Sequence, residues 1–412
     1  MTIAINEVTL QAARSPWSGH ASSEELVHWR RAAEDVAAAL SSDVLERDRQ
    51  NADPHAEVQL LRDSGLLNLL IPAVWGGGDG HWESALHAVR ILARTDASIA
   101  QVLAYHYANL GAVVFYGNPE VQERLLRRSA QSGWSWGDSV NPVDPSLELI
   151  PDGSGYRLQG TKHFSTGASV GNAILVNAVV TGGENNGKLL ALVVDHDRSG
   201  IEYLGDWDAL GQRLSASGSV KYSGVRITPE DVIGEVGQEP FSTLVTPYIQ
   251  LAFGNLYLGI AQGALERGRG ITLGRRNAWF LSKAETYAQD PLTQRIYGEL
   301  DSRIAAVEAL ADRTNHRFDD AVAAGGQLTA GARAEIAIEI ARLKVVSSEV
   351  GVDTANRIFE VTGSSSAKTA VGLDLYWRNV RTHSLHDPVD YKKVEVGARY
   401  LLGEVQPISL YT

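Results

Sequence analysis

The chain of 412 residues has no cysteine, and its single methionine is Met1. The absence of cysteine excludes disulfides, thiolate zinc sites, cysteine-ligated iron–sulfur clusters and a thiol nucleophile. The lack of internal methionine excludes a Met-rich partner groove. No uninterrupted run of about 18 apolar residues occurs, and residues 1–20 lack the basic start and apolar core of a signal peptide, so a cytoplasmic protein without a membrane span is expected. Positive charge is also scarce. With 37 Lys and Arg against 49 Asp and Glu the net charge is -12, which leaves no general footprint for nucleic acid.

What is present is apolar bulk. The hydrophobic fraction of 44% can bury a sizeable core, and the length suits two or three domains at about 100–200 residues each. Three zones follow one another: helical over 1–133, β-rich over 134–237 and helical again over 238–412. In the first, Leu26, Trp29, Ala33, Val36, Leu40 and Val44 recur at helical spacing. Asp53-Pro54 and Asn118-Pro119 each set a capping side chain before a proline, and Ser64-Gly65 ends a helix. In the second zone, YRLQG, AILVNAVV, KLLALVVD and SVKYSGVRI are separated by turn clusters. No helical pattern lies between them, which predicts an antiparallel, barrel-like sheet. The third zone carries two stretches, 291–324 and 329–361, long enough for bundle helices. The expected class is α+β, mainly α, with the zones packed as one subunit.

Several motifs invite chemistry. Gly167-Ala168-Ser169-Val170-Gly171 matches a hydrolase elbow, but a strand-like run follows it where that motif needs a helix, so it reads as a turn. Gly76-Gly77-Gly78-Asp79-Gly80 lacks the lysine of a phosphate loop and reads as a flexible connector. His383, His386 and Asp387, in HSLHDP, form the densest polar group. Metal ligation, helix-end capping, and acid–base or cofactor contact all fit that spacing. Ser165 and Thr166 follow the strand YRLQG and suit either a turn or the edge of a planar cofactor. His106, among apolar residues, suits a core histidine or a site residue.

Taken in order, LLIPAVWGGGDG, GYRLQGTKHFSTGAS, ALGQRLSASGSVKYSGVRITPEDVIGE and IFEVTGSSSAKTAVGLDLYWRNVRTHSLHD resemble the acyl-CoA dehydrogenase superfamily over essentially the whole chain. Asn255–Ala261, Tyr297-Gly298-Glu299 and Trp377–Pro388 resemble its flavin-dependent monooxygenase branch, the dibenzothiophene monooxygenase type with its indole-type relatives. The resemblance implies an N-terminal helical domain, a central β domain and a C-terminal four-helix bundle, usually in a homotetramer. It implies reduced flavin (FADH2 or FMNH2) supplied by a separate NAD(P)H-dependent reductase, and O2, with transfer of one oxygen from a flavin hydroperoxide. It implies a small aromatic substrate, either an indole- or carbazole-like ring to be hydroxylated or a dibenzothiophene-like sulfur. An acyl-CoA dehydrogenase or oxidase and a silent helical binding protein are the other readings. No Tyr-Glu-Gly segment supplies the dehydrogenases' glutamate.

By the same resemblance, Thr166 is the flavin N5 partner, with Phe164 on the ring and Ser165, Asp138 and Ser139 beside it. Asp138 stands where the dibenzothiophene type carries an amide. His386, backed by Asp387 and near His383, handles the proton. Tyr105, His106 and Trp207 wall the substrate. Arg275 or Arg276, with Gly363, meets the cofactor across a subunit interface. No metal is expected.

Overall fold

The computed structural model describes residues 15–142, 144, 147–409 and 412. Six helices come first: α1 (Ser23–Ser41), α2 (Val44–Gln50), α3 (His55–Asp63), α4 (Trp82–Ala93), α5 (Ala97–Tyr116) and α6 (Pro119–Ser132). The α1 stripe buries Trp29, Ala33, Val36 and Leu40, as a periodicity near 3.6 requires. Asn118 caps α6 by accepting the Val121 N–H at 2.9 Å. Asp53 makes no such bond; Pro54 itself is the N-cap of α3, because its ψ of 56° lies outside the helix. The glycine run before α4 is a packed corner. A Cβ on Gly77 would lie 2.0 Å from the Ile71 carbonyl oxygen, so glycine is needed there for close approach, not flexibility.

Eight strands follow: β1 (Trp136–Ser139), β2 (Leu147–Asp152), β3 (Gly155–Lys162), β4 (Ala173–Val180), β5 (Leu189–Asp195), β6 (Ile201–Tyr203), β7 (Val220–Ile227) and β8 (Val232–Glu235). They form one sheet in the order β6-β7-β3-β2-β4-β5-β8, with β1 also on β4. The sheet is mixed, where an antiparallel one was expected. β1 and β2 both run parallel to β4, β1 beside Ala173–Val176 and β2 beside Ala178–Val180. The β2–β3 hairpin lies between β1 and β4 in sequence, and so supplies the crossover that their parallel pairing needs.

The chain ends in α7 (Val245–Leu273), α8 (Pro291–Ala323), α9 (Ala330–Thr362), α10 (Asp374–His383) and α11 (Val389–Leu402). The helical stretch Ser242–Leu273 is long and apolar enough to cross a membrane, but 83% of its most apolar window is buried within the fold; it is a core helix. The segment before β7 is seated on α10. A Cβ on Gly211 would lie 2.1 Å from the Arg378 carbonyl oxygen. Gly211 and Gln212 donate their N–H groups to Thr382 Oγ1 and Asn379 Oδ1, both at 2.8 Å. Arg378 reaches Asp48 on α2 at 2.7 Å. Gln212 also donates from Nε2 to the Ala97 carbonyl on α5 at 3.2 Å, and the Asp138 N–H of β1 donates to the Thr166 carbonyl after β3 at 3.1 Å, so these elements and the end of α10 come together.

Candidate active site

One wall of the resulting cleft is made of hydroxyls. After β3 the chain turns through Phe164, Ser165 and Thr166. Thr166 Oγ1 is 2.8 Å from Ser217 Oγ, which is 2.7 Å from Ser215 Oγ. Gln101 Nε2 donates to Thr166 Oγ1 at 3.3 Å. Ser165 Oγ is 2.9 Å from Ser139 Oγ, which accepts from the Tyr222 hydroxyl at 2.8 Å. Ser139, Ser165 and Thr166 are all buried, and each hydroxyl has a partner, as burial demands.

The other wall is ionic. Tyr105, one turn beyond Gln101 on α5 and so on the same face, places its hydroxyl 3.2 Å from His386 Nε2. His386 Nδ1 lies 3.4 Å from Asp387 Oδ1, and that oxygen also receives Lys344 Nζ of α9. Lys344 is fully buried and Asp387 nearly so. Despite its burial, the Asp387 carboxyl is held well below its ordinary value by hydrogen bonding to His386 and by the charge of Lys344. Burial, with the charges of Asp138 and Asp387, holds the Tyr105 phenol well above its ordinary value, so it stays protonated. Asp138, on β1, has an Oδ1 with no partner. Burial pushes its carboxyl up to about 8 against the Thr166 backbone, so at neutral pH it is mostly a neutral hydrogen-bond donor.

Beside the hydroxyl wall a cavity of about 170 Å³ opens, with Ser165, Ala168, Trp207, Arg213, Ala216 and Gly218 in its lining. Phe164 is 62% exposed at its rim, and its ring meets that of Trp207 edge-on at 6.2 Å. Phe164, Gln212 and Ala216 all have positive φ, at 58°, 53° and 47°. Side chains rarely adopt that conformation, and such strain concentrates at binding sites. An exposed aromatic face, buried hydroxyls beyond it and an unpartnered Asp138 oxygen together fit a flat, polar-edged group such as a flavin ring.

Not every predicted residue joins. His106 is a core residue: its Nε2 donates to the Leu67 carbonyl at 2.7 Å and its Nδ1 accepts from the Trp136 N–H at 3.1 Å. With both nitrogens spent on backbone it is no part of a substrate wall, and burial lowers its pKa to about 4. His383 is buried beside Tyr257, whose hydroxyl lies 3.0 Å from its Nδ1. The Phe253 ring stands edge-on to both His383 (4.5 Å) and His386 (4.9 Å). Burial, with the nearby His386 and Lys344, holds His383 neutral. Arg275 packs at Gly363, donating to the Thr362 carbonyl at 2.9 Å, and Arg276 is exposed. Gly363 follows the last residue of α9 and lies 19 residues beyond Lys344; at 1.5 Å per residue Arg275, packed at Gly363, stands roughly 28 Å from the ionic wall. Gly167–Gly171 is a turn between β3 and β4, not a nucleophile elbow. The unforeseen members are Lys344, Gln101, Ser215 and Ser217. Lys344 gives no local signal, since it meets Asp387 only through the packing of α9 on α10.

Comparison with known proteins shows the family. Residues 23–132 match the acyl-CoA dehydrogenase N-terminal domain and residues 251–391 its C-terminal domain. A probable FMNH2-dependent monooxygenase, SfnC of Pseudomonas putida, is 36% identical over 91% of this chain and 95% of its own length. A dibenzothiophene monooxygenase of Mycolicibacterium goodii is 35% identical over 90% and 92%. Among solved structures, the methanesulfinate monooxygenase MsuC of Pseudomonas fluorescens superposes with a TM-score of 0.90 at 35% identity, over 93% of this chain and 99% of MsuC. TdsC of Paenibacillus sp. A11-2, in complex with FMN and indole, gives 0.89 at 32% identity over 93% and 99%. The chain belongs to the acyl-CoA dehydrogenase family, as a flavin-dependent monooxygenase of the dibenzothiophene and sulfinate monooxygenase type.

Proposed function

We propose that this monooxygenase oxygenates a small aromatic heterocycle, with an indole- or carbazole-like ring as the favoured substrate. The reduced flavin, taken here as FMNH2, arrives from a separate NAD(P)H-dependent reductase. Reduced flavin, when bound, would supply the two electrons that activate O2, one atom of which enters the substrate while the other leaves as water. The protein's own residues hold, shield and protonate.

Thr166, steadied by Ser217 and Gln101, offers its hydroxyl to the flavin edge at N5, and Phe164 packs on the ring. Ser165 and Ser139 complete that wall. His386, when protonated, donates from Nε2 to the Tyr105 oxygen, and the phenol's own proton passes toward the cleft. Asp387 stabilises the charged imidazole. Asp138 and Trp207 border the substrate end. The observation that carries the reading is the Tyr105–His386–Asp387 chain facing a wall of neutral hydroxyls. A proton source aimed at a site built to hold a planar ring is what oxygen transfer needs, because a lost proton or entering water diverts oxygen to peroxide. Arg275, Arg276 and Gly363, remote from this cleft, are proposed to meet the flavin of a neighbouring copy in a homotetramer.

The unpartnered Oδ1 of Asp138 can accept a hydrogen bond from a ring N–H, which is why indole is placed first. Sulfur oxygenation is the second reading, favoured by the activity for which the Mycolicibacterium relative is named. The test supplies FMNH2 and a flavin reductase with indole and, separately, dibenzothiophene, and follows products and peroxide. A hydroxylated indole is expected as the main product. Sulfoxide or sulfone with no indole product would select the second reading, and peroxide alone with both would reject the pair.

A further inference from the structure

The cleft chemistry leaves Lys344 unused, although it is the most deeply buried charge beside it. Its side chain is fully buried on α9, with Asp387 and Gln250 as its partners. Removing two charges from water costs more than their attraction returns unless the geometry is tight, so an apolar residue would serve a mere packing role as well. What this ion pair secures is direction. Lys344 Nζ and His386 Nδ1 share the same oxygen, Oδ1 of Asp387. Lys344 Nζ also sits 5.4 Å from the centre of the Phe253 ring, and that ring packs edge-on against His386. The cation and the carboxylate thus hold the imidazole at Nδ1, while Nε2 meets Tyr105, and the Phe253 ring packs against both His386 and Tyr105.

We propose that Lys344 is a positioning residue for His386: by fixing the Asp387 carboxylate it keeps a proton on Nδ1 and leaves Nε2 aimed at the Tyr105 hydroxyl. An acid behind an imidazole decides which ring nitrogen carries the proton, and here the acid is itself held by a cation. Asp387, His386 and His383 near α10, with Lys392 and Glu395 of α11, are the other ionisable groups around the ammonium. Burial drives Lys344 down to about 8, with Asp387 opposing that fall, so the ammonium is still charged at neutral pH. The assignment rests on the reading of His386 as the proton donor.

The experiment uses full-length protein labelled with [15N]histidine, at a pH where His386 is neutral and without flavin, with the His386 ring assigned from His386→Asn. The wild type is expected to show one tautomer, protonated on Nδ1. Lys344→Met is expected to show a mixture of both, and a single Nδ1–H tautomer in that variant overturns the assignment. In turnover with FMNH2, O2 and indole, product per O2 should fall about tenfold in Lys344→Met, part of the roughly 100-fold that a positioned proton donor supplies, while FMN binding is retained. Unchanged product per O2 also overturns it. Should Lys344→Met fail to fold, Gln250→Leu, which leaves the ion pair but frees the ammonium, should mix the tautomers to a lesser degree; an unmixed spectrum in that variant counts against the proposal. A wild type that oxygenates no indole would defeat the catalytic reading, while the tautomer spectrum would still judge Lys344 by itself.

Discussion

The two walls of the cleft do different work with different chemistry. The β-side wall is built of neutral hydroxyls in two groups, Thr166–Ser217–Ser215 and Ser165–Ser139, bonded within each group at 2.7–2.9 Å. The bundle-side wall joins Lys344, Asp387, His386 and Tyr105. Neutral hydroxyls tolerate burial without a counter-charge, so they can line a dry pocket that holds a planar ring. Charges tolerate burial only in pairs, so the ionic wall must be a connected chain, and a connected chain is what moves a proton. The walls meet at a hydrogen bond between the side chains of Tyr105 and Thr166; beyond that contact, holding and protonating fall to different residues, so Asp387 or His386 can be altered without touching the hydroxyls.

The largest effect is expected from cutting the ionic wall at its buried centre. Asp387→Asn leaves Lys344 without its anion, and removal of one partner of a buried pair costs about 3–5 kcal/mol. Chemical denaturation should register that loss, together with a fall in product and a rise in peroxide. A stability equal to the wild type would break the comparison, because Lys344 and Asp387 would then not be a paired, buried centre.

A histidine outside both walls sharpens it. His106 is held neutral with its pKa lowered to about 4, below the ordinary value near 6.5. Since the folded state binds its proton less readily than the unfolded state, His106 favours the fold above about pH 6.5, and that contribution is lost as pH falls toward 4. His106→Leu should flatten this acid limb while costing about 1–3 kcal/mol at neutral pH, from the unpaired Leu67 carbonyl and Trp136 N–H. Product per O2 in the folded enzyme should not change. A changed product yield would return His106 to the site.

The smallest effect is expected on the hydroxyl wall. Thr166→Val removes one hydroxyl and leaves Ser217 and Gln101 short of a partner, a loss of about 1–2 kcal/mol expected as weaker flavin binding, with Thr166→Ser close to the wild type. Isothermal titration with FMN checks both. Equal FMN affinity in all three proteins would remove Thr166 from the flavin contact.

Strong local signals made much of the fold legible. The helices α8 and α9 and the strands β4 and β7 coincide closely with their periodic stretches. By contrast, β1 is four residues long and buried throughout, so it shows no alternation for a reader of sequence to find, and its parallel pairing with β4 depends on a crossover through β2 and β3. The same division holds at the site. HSLHDP and FST are contiguous, so their polar density drew notice. Lys344 stands alone in a helix whose neighbours read as ordinary core, and Ser215 and Ser217 read as loop polarity. The residue that sequence overvalued, His106, is separated from its structural role only by two backbone partners, from Leu67 and Trp136, which no spacing reveals. Even Asp138, noticed as an acid, carries a property that burial creates: at neutral pH it is mostly a donor.

The most direct measurement of the central claim is the ratio of oxygenated product to hydrogen peroxide in the wild type and in His386→Ala, with FMNH2, O2 and indole. The variant should still bind FMN, because the hydroxyl wall is intact, but its product should fall about 100-fold with peroxide rising to account for the oxygen consumed. An unchanged ratio would contradict the account and remove the ionic wall from the chemistry.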